Sequence, residues 1–93
     1  MVGFDGVEGV LHRHPAVLLA AVVAMPHDKW GETPAAFIEL RQNMTTDEVE
    51  LRAFCRQHLA GYKVPSRFFF SELPKTATGK IQKFVLRDTA SKL

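Results

Sequence analysis

The residues with the clearest chemical potential lie in the segment LPKTATGKIQK, residues 73–83, which contains Lys80. Residues 76–78 offer little bulk to pack, and Gly79 tolerates backbone angles closed to other residues, so a loop that presents Lys80 is predicted. Lysine carries a compact charge on a long stem, which suits the oxygens of phosphate or carboxylate groups. The pattern predicts an anion-contacting lysine, with a solvated basic turn as the alternative.

This segment is not the phosphate-binding loop of nucleoside triphosphatases. That loop requires a glycine six residues before the lysine and a serine or threonine directly after it. Here those two positions hold Pro74 and Ile81. The spacing therefore predicts a lysine that projects from a loop, but it does not define a nucleotide-binding loop.

The other reactive side chains predict neither a metal site nor a hydrolytic site. Cys55 is the only cysteine, and the histidines lack a regular ligand spacing. No nucleophile stands in a strained, glycine-flanked elbow, so a hydrolytic triad receives little weight. The histidines are His12, His14, His27 and His58.

Length and composition predict one small domain with a single core, since the chain has 93 residues, 46% of them hydrophobic. The formal charge is +2 and the acids are interspersed with the bases, which argues against a dedicated polyanion binder. A lone cysteine excludes an internal disulfide and is compatible with a reducing compartment. The apolar run of residues 16–25 is shorter than the ~20 residues that span a bilayer, so a cytoplasmic protein without a transmembrane segment is expected.

Three helices are predicted from capping patterns and apolar spacing. Asp5 and Thr45 each stand three residues before a glutamate, the capping-box arrangement that starts a helix. Pro15 is expected to end the first helix, and Gly61 the second. A last helix is predicted over residues 82–90, where apolar residues recur at helical spacing.

Three strands complete the predicted fold. Residues 17–25 are apolar without polar alternation, which indicates a strand covered on both faces, and Pro26 is expected to break it. Residues 35–40 follow after a short connection, which favours antiparallel pairing with the first strand. Residues 67–73 are predicted to form the third strand. The expected class is α+β, with a small three-stranded sheet and helices packed on its faces.

Residues 73–87, LPKTATGKIQKFVLR, resemble the C-terminal signature of the adenylate-forming superfamily of acyl-CoA synthetases, adenylation domains and luciferases. The segments HPAV, KWGETPAAF and GYKVP fall in the order and spacing typical of that family's small C-terminal domain. The resemblance covers nearly the whole chain. Among the branches, the chain looks most like bacterial fatty-acyl-CoA synthetases.

The resemblance implies that residues 1–93 are the mobile C-terminal, or lid, domain of an ATP-dependent, AMP-forming ligase that joins a fatty or related carboxylic acid to CoA. The family's large N-terminal domain would hold the acyl chain, the ATP and the accompanying Mg²⁺. It is expected to be absent from this chain. The 93 residues are therefore expected to be an isolated piece of a longer enzyme and inactive alone.

The resemblance also implies that Lys80 is catalytic, because the corresponding lysine of the family contacts the carboxylate substrate and the ATP phosphates during adenylation. The chemistry of adenylation explains why a cation is needed there. When a carboxylate attacks the α-phosphorus of ATP, two anions approach each other and pyrophosphate leaves, so a positioned cation lowers the barrier.

For CoA, the resemblance implies a surface that carries Trp30, Tyr62 and Lys63 and that closes in the thioester-forming arrangement. Trp30 is predicted to lie in a turn between the first two strands, where its indole would either stack on the adenine of CoA or cover the edge of the core. Arg56 has the forked geometry that suits a CoA phosphate, with a solvated helix position as the alternative. No metal ligand is expected among these residues.

Two other classes of function stay open at this level. Lys75, Lys80, Lys83 and Arg87 would form the phosphate-contacting face of a small nucleic-acid-binding module, with affinity that falls steeply with salt. A protein-interaction domain would require a contiguous exposed apolar patch. The resemblance favours the ligase, for which no nucleic-acid partner is expected.

Overall fold

The structure is a computed structural model that describes residues 5–27, 29, 31–59 and 64–92. Within these ranges the chain forms three helices and three strands, which confirms the α+β class. In chain order they are α1 (Asp5–His12), β1 (Val17–His27), β2 (Gly31–Leu40), α2 (Glu48–His58), β3 (Arg67–Phe70) and α3 (Lys83–Ser91). No helix in the described ranges is long and apolar enough to cross a bilayer.

The strands form one sheet in the order β1-β2-β3. β1 and β2 are antiparallel, as predicted, with Ala20 opposite Ile38. β3 runs parallel to β2, with Ala36 opposite Phe68. A parallel pair needs a crossover connection, and α2 supplies it between β2 and β3.

Alternation along the strands divides the core between the two faces of the sheet. α1 and α2 pack on one face, here called the α1/α2 face, and α3 packs on the other, the α3 face. The α1/α2 face buries Val7, Val10, Leu11, Val17, Ala20, Val22, Ala36, Ile38, Leu51, Cys55 and Phe68. The α3 face buries Ala21, Val23, Met25, Ala35, Phe37, Leu73, Leu86 and Ala90. The strands thus carry apolar residues on both faces, as the uninterrupted apolar run predicted.

The prediction that Pro26 breaks the first strand is wrong, because β1 continues through Pro26 to His27. β1 is an edge strand, and the backbone N–H groups of Ala20 and Val22 donate to side chains of α1 rather than to β2. Pro26 has the same parity as these two residues along the strand. Its missing N–H would therefore point away from β2, and no ladder hydrogen bond is lost.

Other element boundaries also differ from the sequence-based expectation. β2 begins at Gly31 rather than at residue 35. α2 begins at Glu48 with Asp47 as its N-cap, rather than Thr45, because the Asp47 carboxylate accepts from the Glu50 N–H at 2.8 Å. β3 ends at Phe70 rather than at residue 73. Gly61, the expected helix stop, lies outside the described residues, and α2 ends at His58.

Candidate functional site: the Lys80 loop

The segment that leads from β3 to α3 contains a closed loop, residues 75–81, here called the Lys80 loop. Lys75 and Ile81 pair as an antiparallel bridge at its base. One step further along, the Thr76 N–H donates to the Lys80 carbonyl at 2.8 Å. This backbone pairing fixes the point from which the Lys80 side chain leaves the loop.

The hydroxyl of Thr76 organises the interior of the loop. Its Oγ1 accepts from the Lys80 N–H at 3.2 Å and lies 2.9 Å from the Thr78 Oγ1. Gly79 has a φ of 86°, in the left-handed region that favours glycine, and its N–H donates to the Thr76 carbonyl at 2.9 Å. The small residues that predicted a loop therefore make one that is closed by internal hydrogen bonds.

Apolar side chains on both sides of the loop attach it to the core of the α3 face. Leu73 is only 2% exposed, and Ile81 packs against the same cluster. The loop is therefore fastened to the sheet where it begins and where it ends.

The Lys80 side chain is exposed, and in the described part of the chain its ammonium makes no ion pair. The neighbouring lysines differ from it. Lys75 Nζ lies 2.8 Å from the Glu39 Oε1, and Lys83 Nζ lies 2.8 Å from the Glu8 Oε2. Of the three lysines in residues 73–83, Lys80 is thus the one whose ammonium has no carboxylate within the described residues.

Glu39 lies on β2 and carries a perturbed carboxyl group. The pKa of Glu39 is held below its ordinary value, first by the backbone N–H of Leu73 and then by the Lys75 ammonium, both of which donate to the charged form. Glu39 is therefore an ionised anchor beside the base of the Lys80 loop.

The other predicted site residues do not join Lys80 in the described structure. Trp30, Tyr62 and Lys63 lie outside the described residues, so their placement in a CoA surface stays a prediction. Arg56 is exposed on α2, across the sheet from the Lys80 loop, and no ion pair of its guanidinium is found in the described ranges. The described structure therefore does not assemble one site from Lys80 and Arg56.

Sequence reasoning missed Glu39 and missed the long-range contacts of Glu8, the glutamate of the capping-box pattern that begins at Asp5. The Glu8 carboxylate accepts from the backbone N–H of Val22 at 2.7 Å and holds Lys83. The one sequence signal for Glu39 was its position directly after the apolar residues of a predicted strand, where a charged side chain needs a partner. Its partners lie 34 and 36 residues away in the chain, where no local pattern connects them.

The other reactive side chains of the described structure show no sign of a catalytic or metal site. Cys55 is buried in the core of the α1/α2 face, and burial raises the pKa of its thiol to about 11, which keeps the thiol protonated. In the residues that the structure describes, no group of three or more His, Cys, Asp or Glu side chains is arranged to hold a metal ion.

The fold and the Lys80 loop define a known class of domain. The family model described as the AMP-binding enzyme C-terminal domain matches residues 6–80, and the chain belongs to this family. The resemblance inferred from residues 73–87 is thereby confirmed.

Among curated proteins, the chain is 52% identical over 87 residues to the 2-methylpropanoate–CoA ligase CCL4 of Humulus lupulus, covering 90% of this chain and 16% of the ligase. It is 47% identical over 85 residues to the peroxisomal trans-cinnamate:CoA ligase of Petunia hybrida, covering 90% and 15%. Among solved structures, the fatty acyl CoA synthetase of Mycobacterium tuberculosis matches with a TM-score of 0.85 and 38% identity, covering 94% of this chain and 17% of that one. The chain thus corresponds to a small part of each relative.

The nucleic-acid alternative receives no support from these relatives, and the geometry also weakens it. Lys75 and Lys83, two of the four cations proposed for a phosphate-contacting face, are engaged by Glu39 and Glu8. A lysine paired with a carboxylate adds less net positive charge to a phosphate-contacting face than an unpaired one does.

Proposed function

We propose that this chain acts as the mobile C-terminal domain of an ATP-dependent, AMP-forming acid:CoA ligase, in which Lys80 serves the adenylation half-reaction. The acid is first activated as acyl-AMP and then transferred to the thiol of CoA. The family supports this proposal, and so do the relatives that are named as CoA ligases. A structural relative described as ATP-bound MatB from Rhodopseudomonas palustris supports the use of ATP.

The observation that carries the proposal is the contrast between Lys80 and its two neighbouring lysines. Lys75 and Lys83 are held by carboxylates, whereas Lys80 projects exposed from a hydrogen-bonded loop and has no ion-pair partner in the described structure. A rigidly based but unpaired ammonium is suited to meet a partner's oxygen anions without first breaking an internal ion pair. At the α-phosphate it would offset the charge that develops as the carboxylate attacks and pyrophosphate leaves.

For the second half-reaction we propose that the domain rotates, so that a different surface faces the active site. That surface would carry Trp30, Tyr62 and Lys63 toward CoA, with Arg56 as a candidate contact for a CoA phosphate. Domain closure of this kind gates many two-step enzymes. The large domain, with ATP and its Mg²⁺, would be the partner against which this domain moves.

The acid is proposed to be a fatty or related carboxylic acid. The Mycobacterium tuberculosis relative supports a fatty acid, while the plant relatives are named for 2-methylpropanoate and cinnamate. The pocket that binds the acyl group and sets the specificity for the acid is expected to belong to the large domain. A cytoplasmic location stays a prediction, since the Petunia relative is described as peroxisomal; imaging of a fluorescent fusion would decide it.

The test is the substitution Lys80→Ala in the complete ligase that carries this domain, with the two half-reactions measured separately. Lys92→Ala is the matched control, because Lys92 is an exposed lysine at the C-terminal end of α3 whose ion pair within the described residues is with Asp88. Loss of one electrostatic donor at a reacting centre typically costs about 10²–10³-fold in rate. We therefore expect acyl-AMP formation to fall by about that factor in Lys80→Ala and to be unchanged in Lys92→Ala.

Thioester formation from supplied acyl-AMP is expected to be largely kept in both variants. Equal loss of the two half-reactions in Lys80→Ala would contradict the proposed division of labour. The 93-residue chain alone is expected to form no acyl-AMP, and detectable formation would contradict its assignment as a dependent domain.

A further inference from the structure

Two carboxylates hold the Lys80 loop, one on each side. Glu39 of β2 contacts the chain where it enters the loop, and Glu8 of α1 contacts it where α3 begins. Each carboxylate also accepts a hydrogen bond from a backbone N–H, so each is tied to the body of the domain as well as to a lysine.

On the entry side, the Glu39 carboxylate accepts a backbone hydrogen bond beyond the end of β3, where no strand partner is left in the described structure. The last ladder bond runs from the Ser71 N–H to the Ile38 carbonyl at 3.0 Å. The next inward-facing donor, the Leu73 N–H, reaches the Glu39 Oε1 at 3.0 Å, and Lys75 Nζ reaches the same oxygen at 2.8 Å. The Glu39 side chain, only 19% exposed, thus fixes the chain up to the first residue of the loop.

On the exit side, Glu8 joins α3 to the edge of the sheet. Its two oxygens lie 2.9 Å and 2.8 Å from Lys83 Nζ, and its Oε2 also accepts from the Val22 N–H at 2.7 Å. The Glu8 side chain is 13% exposed. Lys83 is the first residue of α3, so this contact fixes the helix start that follows the loop.

From this arrangement we propose that Glu39 and Glu8 are positioning residues that set the place of the Lys80 ammonium by clamping both sides of its loop. The loop is closed by its own hydrogen bonds and therefore moves as a unit, so its position depends on what holds its two sides. The catalytic consequence rests on the function proposed above for Lys80. The clamping of the loop by Glu39 and Glu8 does not depend on that proposed function.

A positioning role predicts a different signature from a purely structural one. The Glu39 and Glu8 side chains are 19% and 13% exposed, so removal of either carboxylate leaves a backbone N–H without its acceptor and is expected to cost about 1–3 kcal/mol of folding stability. Misplacement of a reacting group by about 1 Å, in contrast, costs about a hundredfold in rate. A purely structural role would change stability alone, whereas a positioning role also predicts increased motion of the loop and a loss of rate that depends on Lys80.

The first test uses the 93-residue chain and does not depend on ligase activity. Backbone ¹⁵N relaxation at Thr78 and Gly79 is compared in the unmodified chain, in Glu39→Ala and in Asp88→Ala. The last variant is the matched control, since Asp88 pairs with Lys92 away from the loop. Of these three chains, we expect increased motion of the loop in Glu39→Ala alone, at a temperature where all three are folded. An unaltered loop in a folded Glu39→Ala chain would overturn the proposal.

The second test is a double-mutant cycle on the complete ligase. Glu39→Ala is expected to slow acyl-AMP formation by about tenfold, within the range of misplacement effects. In a Lys80→Ala background the same change is expected to cost nothing more, because Glu39 acts only through Lys80. Glu39→Gln, which keeps an acceptor oxygen, is expected to recover part of the rate. Additive losses would overturn the proposal.

The two tests separate this inference from the proposed function. If Lys80→Ala left adenylation intact, the function proposed for Lys80 would fail, and a loop freed by Glu39→Ala would still support the clamp. If Lys80→Ala abolished adenylation while the loop of folded Glu39→Ala and Glu8→Ala chains stayed fixed, the clamp would be wrong and the function would stand.

Discussion

The same substitution, glycine to alanine, is predicted to change stability in opposite directions at two positions of this chain. Gly79 lies in the Lys80 loop with a φ of 86°, whereas Gly9 lies within α1. A Cβ built at either position meets nothing within 4 Å. Steric clash therefore does not distinguish the two sites, and only backbone conformation does.

At Gly79 an alanine must adopt the left-handed conformation, which costs about 1–2 kcal/mol for an L-residue. At Gly9 an alanine adopts ordinary helical angles and removes the entropic disadvantage of glycine, a gain of about 0.5–1 kcal/mol. The two variants are therefore expected to differ by about 1.5–3 kcal/mol in the free energy of unfolding.

Thermal unfolding followed by circular dichroism measures this difference. For a domain of this size, 1 kcal/mol shifts the midpoint by about 4–8 °C, so Gly9→Ala is expected to unfold several degrees above the unmodified chain and Gly79→Ala several degrees below it. Gly79→Asn is the control for conformation, since asparagine tolerates the left-handed region better than alanine and should lose less.

A Gly79→Ala variant as stable as the unmodified chain would refute the reasoning, because it would mean that the loop accepts another backbone conformation at no cost. The described hydrogen bond from the Gly79 N–H to the Thr76 carbonyl would then not define the loop in solution.

Three further predictions concern the core and the titrating groups. Leu86→Ala, at a position 4% exposed, is expected to cost about 2–5 kcal/mol in urea unfolding, while Phe84→Ala on the same helix, 71% exposed, should cost less than about 0.5 kcal/mol; similar losses would contradict the assigned α3 face. Because the pKa of Glu39 is lowered in the folded state, its stabilising contribution is present above the ordinary carboxyl pKa and is lost as the pH falls through the folded value; the advantage of the unmodified chain over Glu39→Gln should therefore shrink between neutral and acidic pH, and an advantage that grew on acidification would contradict the sign. Cys55, with a thiol pKa of about 11, should resist alkylation at neutral pH until the chain unfolds, and rapid labelling of the folded chain would show that it is not buried.

Much of the fold was predictable because its determinants are local. The apolar residues 17–25 and the short connection after them indicate an antiparallel pair without knowledge of any other element. Leu51 and Cys55 stand four residues apart, the helical spacing that predicts one apolar side, and both are buried in α2. The exposed position of Lys80 followed from the small residues before it.

The errors in the fold came from features that depend on the place of an element in the sheet. Whether Pro26 ends a strand depends on which edge its nitrogen faces, and that is set by strand order rather than by neighbours in the sequence. The end of β3 depends similarly on Glu39, because its carboxylate rather than a strand receives the Leu73 N–H.

The supporting residues of the candidate site could not be predicted for the same reason. Glu8 and Lys83 are 75 positions apart, and Glu39 and Lys75 are 36 apart. Nothing in either local segment indicates its partner. The residue that projects outward from the site was therefore visible in the sequence, while the residues that hold it in place became visible only in the fold.

A single-turnover experiment that follows acyl-AMP formation and its transfer to CoA in the same ligase would show directly whether the charge of Lys80 serves adenylation. With Lys80 replaced by methionine, which keeps an unbranched chain without the charge, the account predicts that the first rate falls by about two orders of magnitude. The second rate should stay within about twofold, because the charge of Lys80 is assigned to adenylation alone. An unchanged first rate would contradict the account.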